Sequence, residues 1–150
     1  MKFNEARKII EALNKAEKQI NDFATIAGVE AVNHFTQNFR KQGFDDDGSV
    51  KKWQGRKRER ARDSGRAILV GAANKKQGIP LMQSLIKRRA GKLSVYVMSS
   101  VKYANVHNEG LRSGRGSGFK MPKRQFVGES RKLNRNILRI LDKRIQQSFR

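Results

Sequence analysis

The residues best suited to chemistry are three consecutive aspartates, Asp45-Asp46-Asp47, followed by Gly48. Carboxylates before a glycine are typical of calcium-binding loops, in which glycine occupies the sixth position of twelve. That alignment places Gly43 at the first ligand position and Gln54 at the last, and neither residue supplies the carboxylate needed there. Two alternatives remain: a Mg²⁺ nuclease that uses these acids, because magnesium sites are loosely patterned, and a polar turn that caps a helix end. We favour the turn.

The rest of the chain offers little for nucleophilic or acid–base catalysis, because it has two histidines and no cysteine. His34 lies in a predicted helix, where a packed or surface histidine is more common than a metal ligand. His107 precedes a glycine-rich loop, but no Ser-plus-base arrangement accompanies it. The series Gly114-x-Gly116-x-Gly118 lacks the preceding strand and following helix of a nucleotide-binding fingerprint. We therefore expect no catalytic residue, no metal and no cofactor.

Charge is the strongest compositional signal, since 34 Lys and Arg residues against 13 Asp and Glu residues give the 150-residue chain a net charge of +21. Such a surface attracts phosphates or an acidic protein. Residues 51–66 have little apolar periodicity and are predicted to form an extended or solvated basic arm. Its basic residues are predicted to contact DNA or a partner: Lys51, Lys52, Arg56, Lys57, Arg58, Arg60, Arg62 and Arg66. Trp53 either anchors the arm to the core, which we favour, or stacks on a base.

Amphipathic helices are predicted at both ends of the chain. Apolar residues recur every three or four positions from Phe3 to Phe39, which predicts helix, with a kink or break at Gly28 left open. A second helix is predicted from the apolar series that runs from Leu133 to Phe149, and Ser130 is placed to cap it.

The middle of the chain is predicted to form a small antiparallel sheet. The turn residues Ala90-Gly91-Lys92 precede the alternating segment Leu93–Met98, which is typical of the second strand of a hairpin. A third strand is predicted within Phe119–Val127 and is restricted to an edge by Pro122.

Together these elements predict one α+β domain over residues 1–150. A long N-terminal helix and a C-terminal helix would pack on the small sheet, with long basic loops between them. Residues 43–49 are predicted to be a loop, and the glycine-rich loop 110–120 is predicted to be flexible.

Read in order, several segments resemble the phage virion morphogenesis or tail-completion family of Mu-like and related tailed phages. The resemblance is carried by Phe39–Phe44, Asp47-Gly48 with Trp53-Gln54, Tyr103–Gly110 and Met121–Gly128. Two features depart from the family pattern. Leu81–Leu85 stands where the family usually has Thr-Gly-x-Leu, and the arm at 51–66 is more basic than the pattern requires.

The resemblance implies a non-catalytic structural protein of the virion, assembled in the host cytoplasm. It would form a ring, a hexamer or alternatively a dodecamer, that completes the tail or joins it to the head at the neck, as a tail terminator or a head–tail connector component. The expected partners are other neck and tail proteins, further copies of the chain and the phage DNA, with no membrane. The charge alone leaves one alternative, a free basic nucleic-acid-binding protein.

Two further groups of residues are expected to serve this role. In the glycine-rich loop, Arg112, Arg115 and Lys120 are predicted to contact DNA or a partner. The residues expected to order the loops or line a subunit interface are Trp53, Tyr103, His107, Met121, Arg124 and Phe126.

Overall fold

A computed structural model of the chain describes residues 3–56, 65, 67–71 and 79–149. The helices are α1 (Phe3–Asn21), α2 (Phe23–Lys41), α3 (Ala104–Glu109) and α4 (Arg131–Ser148). The strands are β1 (Gly43–Asp45), β2 (Val50–Lys52), β3 (Leu85–Arg89), β4 (Val95–Ser99), β5 (Arg112–Ser113) and β6 (Phe119–Lys120). A 3-10 turn, Leu81–Gln83, follows Pro80. The predicted α+β class, with helices at both ends and small antiparallel pairings between them, is confirmed.

The N-terminal helical region is interrupted at Asp22 and not at Gly28. The carbonyl oxygen of Asp22 accepts the first hydrogen bonds of α2, from the amides of Thr25 at 3.0 Å and Ile26 at 3.1 Å. Gly28 lies inside α2, where a Cβ atom would come within 2.9 Å of Val95 Cγ2. Glycine at this position therefore allows α2 to approach β4 closely, and the long helix predicted from the sequence is two helices.

In the described part of the chain, the strands form three separate antiparallel pairs instead of one sheet. β3 and β4 make the predicted hairpin, with Leu85 opposite Ser99 and Arg89 opposite Val95. β1 pairs with β2, so the predicted loop at 43–49 begins with a strand and has its turn at the aspartates. β5 pairs with β6, and the predicted third strand is limited to its first two residues. Pro122 explains that limit, since it has no N–H to donate to a ladder.

The core is centred on three aromatic residues from distant parts of the chain. Phe39 near the end of α2 is fully buried, and its ring centroid lies 4.8 Å from that of Phe126. Trp53 packs edge-to-face on Phe39 with a centroid distance of 5.5 Å. Leu81 and Leu85 complete this cluster. Such aromatic pairs add about 0.5–1.5 kcal/mol beyond the burial of their area.

Helix α4 begins as the sequence predicts. Ser130 has an extended backbone, and its Oγ accepts a hydrogen bond from the amide of Leu133 at 3.2 Å. An oxygen at this position satisfies an amide that has no partner within the helix, which typically stabilises the helix by about 1 kcal/mol. Leu133 is buried in the core. Helix α1 packs along α4, and among its side chains from Ala6 onward only Ala16 is well buried.

Candidate functional site

The aspartate turn between β1 and β2 holds the start of α4. Ser130 Oγ donates to the carbonyl oxygens of Asp45 and Asp46, both at 3.0 Å. The amide of Lys132 donates to the Asp46 carbonyl at 2.7 Å, and the amide of Arg131 donates to Asp46 Oδ1 at 3.0 Å. Carboxylates are favoured at this position, because the free amides of a helix N-terminus carry partial positive charge. The turn therefore joins two segments that lie more than eighty residues apart.

Each carboxylate of the turn is also paired with a cationic side chain. Asp45, whose side chain is 1% exposed, receives hydrogen bonds from Lys41 Nζ and from Lys132 Nζ, the latter at 2.7 Å. Asp46 pairs with Arg131 at 3.1 Å, and Asp47 pairs with Arg131 and Arg135. Burial opposes ionisation of Asp45, but the donors around its carboxylate outweigh that cost and hold its pKa well below the ordinary value. We call Asp45, Asp46, Asp47 and their lysine and arginine partners the acidic clasp.

This arrangement argues against the Mg²⁺ nuclease alternative. Lysine and arginine already neutralise the three carboxylates, and their positive charges repel a divalent cation. Within the described residues, no group of three or more His, Asp and Glu side chains is placed to hold a metal ion. The favoured interpretation of the aspartates as a polar turn holds with one correction. The turn contacts Lys41 in the last turn of α2, but it mainly secures the distant start of α4.

The two histidines also occupy packed positions. His34 Nε2 donates to the carbonyl oxygen of Asp45 at 3.0 Å, and burial lowers the pKa of its ring. His107 packs edge-to-face on Tyr103 with a centroid distance of 5.9 Å, and burial lowers its pKa as well. Its Nδ1 is buried, and no hydrogen-bond partner for that atom is found among the described residues.

Residues 121–128 form a second junction. Much of the backbone of this segment is hydrogen-bonded to side chains instead of to a neighbouring strand. Asn38 Nδ2 donates to the Phe126 carbonyl at 3.0 Å. Asn108 Oδ1 accepts from the amides of Phe126 at 2.9 Å and Val127 at 3.0 Å. Trp53 Nε1 donates to the Gln125 carbonyl at 2.7 Å. The four segments that carry the family resemblance therefore meet at this junction and at the acidic clasp.

The residues predicted to order loops take part in these contacts to different degrees. Trp53 is an anchor, and Phe126 is in the core of the single chain. Arg124 is buried, and its guanidinium donates to the carbonyl oxygens of Gln54 at 3.2 Å and Gly55 at 3.4 Å. Met121 donates its amide to the Leu111 carbonyl at 3.1 Å. Tyr103 is 41% exposed, so of these five residues it is the most accessible to a neighbour.

The predicted DNA or partner contacts are only partly placed by the structure. Lys57, Arg58, Arg60, Arg62 and Arg66 lie outside the described residues. Lys51 and Lys52 are exposed on β2, and Arg56 donates to the Ala67 carbonyl at 3.3 Å. Arg115 and Lys120 are exposed on the glycine-rich hairpin. Arg112 has a structural contact as well, because its guanidinium donates twice to the Ser117 carbonyl and closes that hairpin.

Sequence reasoning missed Asn38 and Asn108, because an isolated asparagine in a helical pattern gives no sign of a buried backbone contact far along the chain. It also missed a cluster of basic side chains on the β3–β4 hairpin. Four cationic residues occur there without an acidic one: Lys87, Arg88, Arg89 and Lys92. That group was detectable as a local run of charge.

A family model described as the phage virion morphogenesis family matches residues 1–146. The chain belongs to that family. This membership gives it a structural or assembly role in the phage virion and indicates a non-enzymatic protein. No curated protein and no solved structure matches the chain significantly. In the part of the chain that the structure describes, no helix is long and apolar enough to span a membrane.

Proposed function

We propose that this virion morphogenesis protein is a ring subunit that completes the tail or joins it to the head at the neck. The observation that carries the proposal is the separation of two kinds of exposed surface. Residues 110–123 expose four basic side chains, of which Lys123 pairs with Glu109, whereas α1 exposes apolar side chains and has a small net charge. A ring around DNA needs both kinds of surface, one for its neighbours and one for its polyanionic contents.

The exposed apolar residues support contacts between subunits. Soluble monomers seldom expose large contiguous apolar patches, and such patches commonly mark protein interfaces. The exposed large apolar side chains on α1, on α4 and directly after α4 are Ile9, Ile10, Leu13, Ile20, Leu138 and Phe149. We expect a ring of six subunits, with a ring of twelve as the alternative.

The basic residues supply the second surface. Lys51, Lys52 and Arg56 at the start of the arm, with Arg115 and Lys120 on the hairpin, would face DNA in the channel or an acidic neighbouring ring. Phosphates or carboxylates at these positions offset the self-repulsion of a chain with a charge of +21. Other neck and tail proteins are the further partners of this proposal.

Immunogold electron microscopy of purified virions tests the position directly. An antibody against this protein is expected to label the neck or the head-proximal end of the tail. Antibody absorbed beforehand with the purified protein serves as the control. Labelling of the capsid or distal tail alone, or no labelling of intact and opened virions, contradicts the proposal.

The net charge favours one other function, a free nucleic-acid-binding protein. Such a protein that contacts eight phosphates should show a log–log dependence of duplex affinity on salt with a slope of about −7. An unassembled ring subunit is expected to bind DNA more weakly and with a shallower slope. A slope near −7 for the monomer, together with unlabelled virions, would favour the alternative.

A further inference from the structure

Charge is distributed very unevenly over the described elements. Helix α4 carries six basic residues and one acidic residue, for a net charge of +5, and residues 110–124 also carry +5. Helix α1 carries four basic and three acidic residues, for a net charge of +1. Because copies of a strongly basic chain repel each other, α1 and α2, which also carries a net charge of +1, are the long elements that another copy can approach at the lowest electrostatic cost.

The apolar face of α1 is only partly covered. Ile9, Ile10, Leu13 and Ile20 are 48%, 57%, 53% and 43% exposed, respectively. The helix contacts α4 along one edge of this face, where Ala16 is buried and Gln19 Oε1 accepts a hydrogen bond from Arg144 at 3.4 Å. We call the four exposed residues the α1 stripe.

An apolar groove on the same subunit has matching properties. It lies between α2, β4 and α4 and has a volume of about 480 Å³. Its lining includes Phe23, Ala27, Ala31, Val95, Leu133 and Ile137. No charged residue and no residue of the α1 stripe is among the described residues that line it. The groove is therefore open to a ligand that is apolar and uncharged.

We propose that the groove of one subunit receives the α1 stripe of the next subunit. This inference rests on the proposed ring function and names the contact that would build the ring. From Ile9 to Ile20 the stripe extends roughly 17 Å, and from Phe23 to Phe35 the α2 wall of the groove extends roughly 18 Å, at about 1.5 Å per helical residue. A helix that places apolar side chains at such spacing into a groove is a common mode of recognition.

The two surfaces differ, so the contact is heterologous and repeats from subunit to subunit until a ring closes. A second copy fits this groove better than an acidic protein does, because an acidic partner would be drawn to the basic surfaces and not to an uncharged one. The stripe of the same subunit does not reach the groove while α1 packs on α4.

Salt distinguishes this contact from binding to a polyanion. The contact surfaces are apolar and the remainder of each subunit is basic, so screening removes repulsion without weakening the contact. Raising the salt from about 0.05 M to about 0.5 M, which shortens the Debye length several-fold, is expected to strengthen self-association. Weaker self-association at the higher salt concentration overturns the proposal.

Disulfide cross-linking locates the contact, since the full-length chain has no cysteine of its own. The variants Leu13→Cys and Ile137→Cys are each purified, mixed and oxidised at a concentration at which the protein self-associates. A covalent dimer is expected in the mixture, and neither variant should form one alone. Met98→Cys, on the other face of β4 and 38% exposed, replaces Ile137→Cys as the matched control and is expected to give less than a tenth of the dimer.

The other outcomes overturn the inference in identifiable ways. A dimer of Leu13→Cys alone indicates a stripe-to-stripe contact. An intramolecular disulfide in a chain that carries both Leu13→Cys and Ile137→Cys indicates that α1 covers its own groove. Mass measurement on the same samples without oxidation distinguishes a failure of the groove contact from a failure of the proposed ring. Rings that form without this cross-link leave the proposed function standing and remove only the groove. A chain that remains monomeric at every salt concentration removes the groove contact and the ring together.

An association measurement supplies a second criterion. Leu13→Glu is expected to weaken self-association at least tenfold, whereas Leu111→Glu, at a residue 46% exposed on the glycine-rich hairpin, should change it less than twofold. Circular dichroism verifies that both variants keep their helices. Equal effects of the two substitutions contradict the assignment of the stripe.

Discussion

Lys132 Nζ, in the first turn of α4, lies 2.7 Å from the Oδ2 of Asp45, the last residue of β1. Lys41, from the last turn of α2, donates to the same carboxylate oxygen. The side chain of Asp45 is almost completely buried, whereas the two lysines are about one-third exposed. One carboxylate therefore joins α2, the β1–β2 turn and α4.

Asp45→Asn is expected to destabilise the fold. The substitution leaves two ammonium groups without their counter-ion, which costs about 3–5 kcal/mol in a fully buried pair. We expect about 2 kcal/mol here, because partial exposure of the lysines lets water compensate. Urea unfolding measures the loss, and Asp142→Asn, at an exposed position on α4, should change stability by less than about 0.5 kcal/mol. Equal effects of the two substitutions would disprove the central role of Asp45.

The acidic clasp also predicts how stability depends on pH. The pKa of Asp45 is lower in the folded chain than its ordinary value of 3.8, so the unfolded chain takes up this proton at the higher pH. Its contribution is complete above that ordinary value and is lost as the pH falls through the folded pKa. The difference in free energy of unfolding between the unmodified chain and Asp45→Asn should therefore be constant near neutral pH and shrink in acid. A difference that grows in acid would contradict the assignment.

Asn108→Ala is expected to destabilise the junction around residues 121–128. The substitution removes the acceptor of the Phe126 and Val127 amides. Each buried donor left unpaired costs about 1–3 kcal/mol, so a total loss of about 3 kcal/mol is expected. Hydrogen exchange gives the specific readout, since those two amides should lose protection first. Asn105→Ala, at an exposed site on the same helix, is the control, and unchanged protection in Asn108→Ala would refute the assignment.

Gly28→Ala is expected to destabilise the chain even though alanine is the better helix former. Alanine gains about 1 kcal/mol in an open helix, but here its Cβ would lie 2.9 Å from Val95 Cγ2. We expect a net loss of about 1 kcal/mol. Val95→Ala removes the opposing methyl groups, so the double variant should lose less than the sum of the two single variants. Additive losses would show that the close approach does not limit this position.

Arg115→Gln combined with Lys120→Gln tests the basic hairpin. If both residues contact phosphates in the assembled protein, the slope of log affinity against log salt should become shallower by about 1.8 for duplex DNA. Lys8→Gln combined with Lys15→Gln removes the same charge from α1 and is expected to leave the slope nearly unchanged. Identical slopes for the two double variants would mean that net charge alone, and not the hairpin, determines DNA binding.

Local sequence patterns were sufficient for the elements that depend on neighbouring residues. The apolar series from Leu133 and the hydroxyl of Ser130 predicted α4 and its cap, and the alternation over Leu93–Met98 predicted β4 within one or two residues. The family-like segments were sufficient to indicate the family. In each case the determining interactions lie within a few positions along the chain.

The remaining features depend on contacts across the chain, which a local pattern does not contain. From the sequence alone, Gly28 is a reasonable place for a helix break. In the structure the interruption falls at Asp22, and Gly28 instead gives β4 room to pack against α2. Nothing near Asn108 in the sequence indicates that its side-chain oxygen accepts hydrogen bonds from the amides of Phe126 and Val127, eighteen and nineteen residues later. The basic character of the arm at 51–66 remains a prediction about partners, because most of its residues lie outside the described part.

The acidic clasp also sets an order of events during protein synthesis. Lys41 precedes Asp45 by four residues, but Lys132 is added eighty-seven residues later. At about 5–20 residues per second, a growing chain spends several seconds before Lys132 is available to this carboxylate. The groove wall supplied by Leu133 and Ile137 is likewise incomplete during that interval. An unfinished chain on the ribosome therefore cannot offer a complete groove to a finished copy. If subunits join through this groove as we propose, truncated products that lack α4 would be left out of the ring.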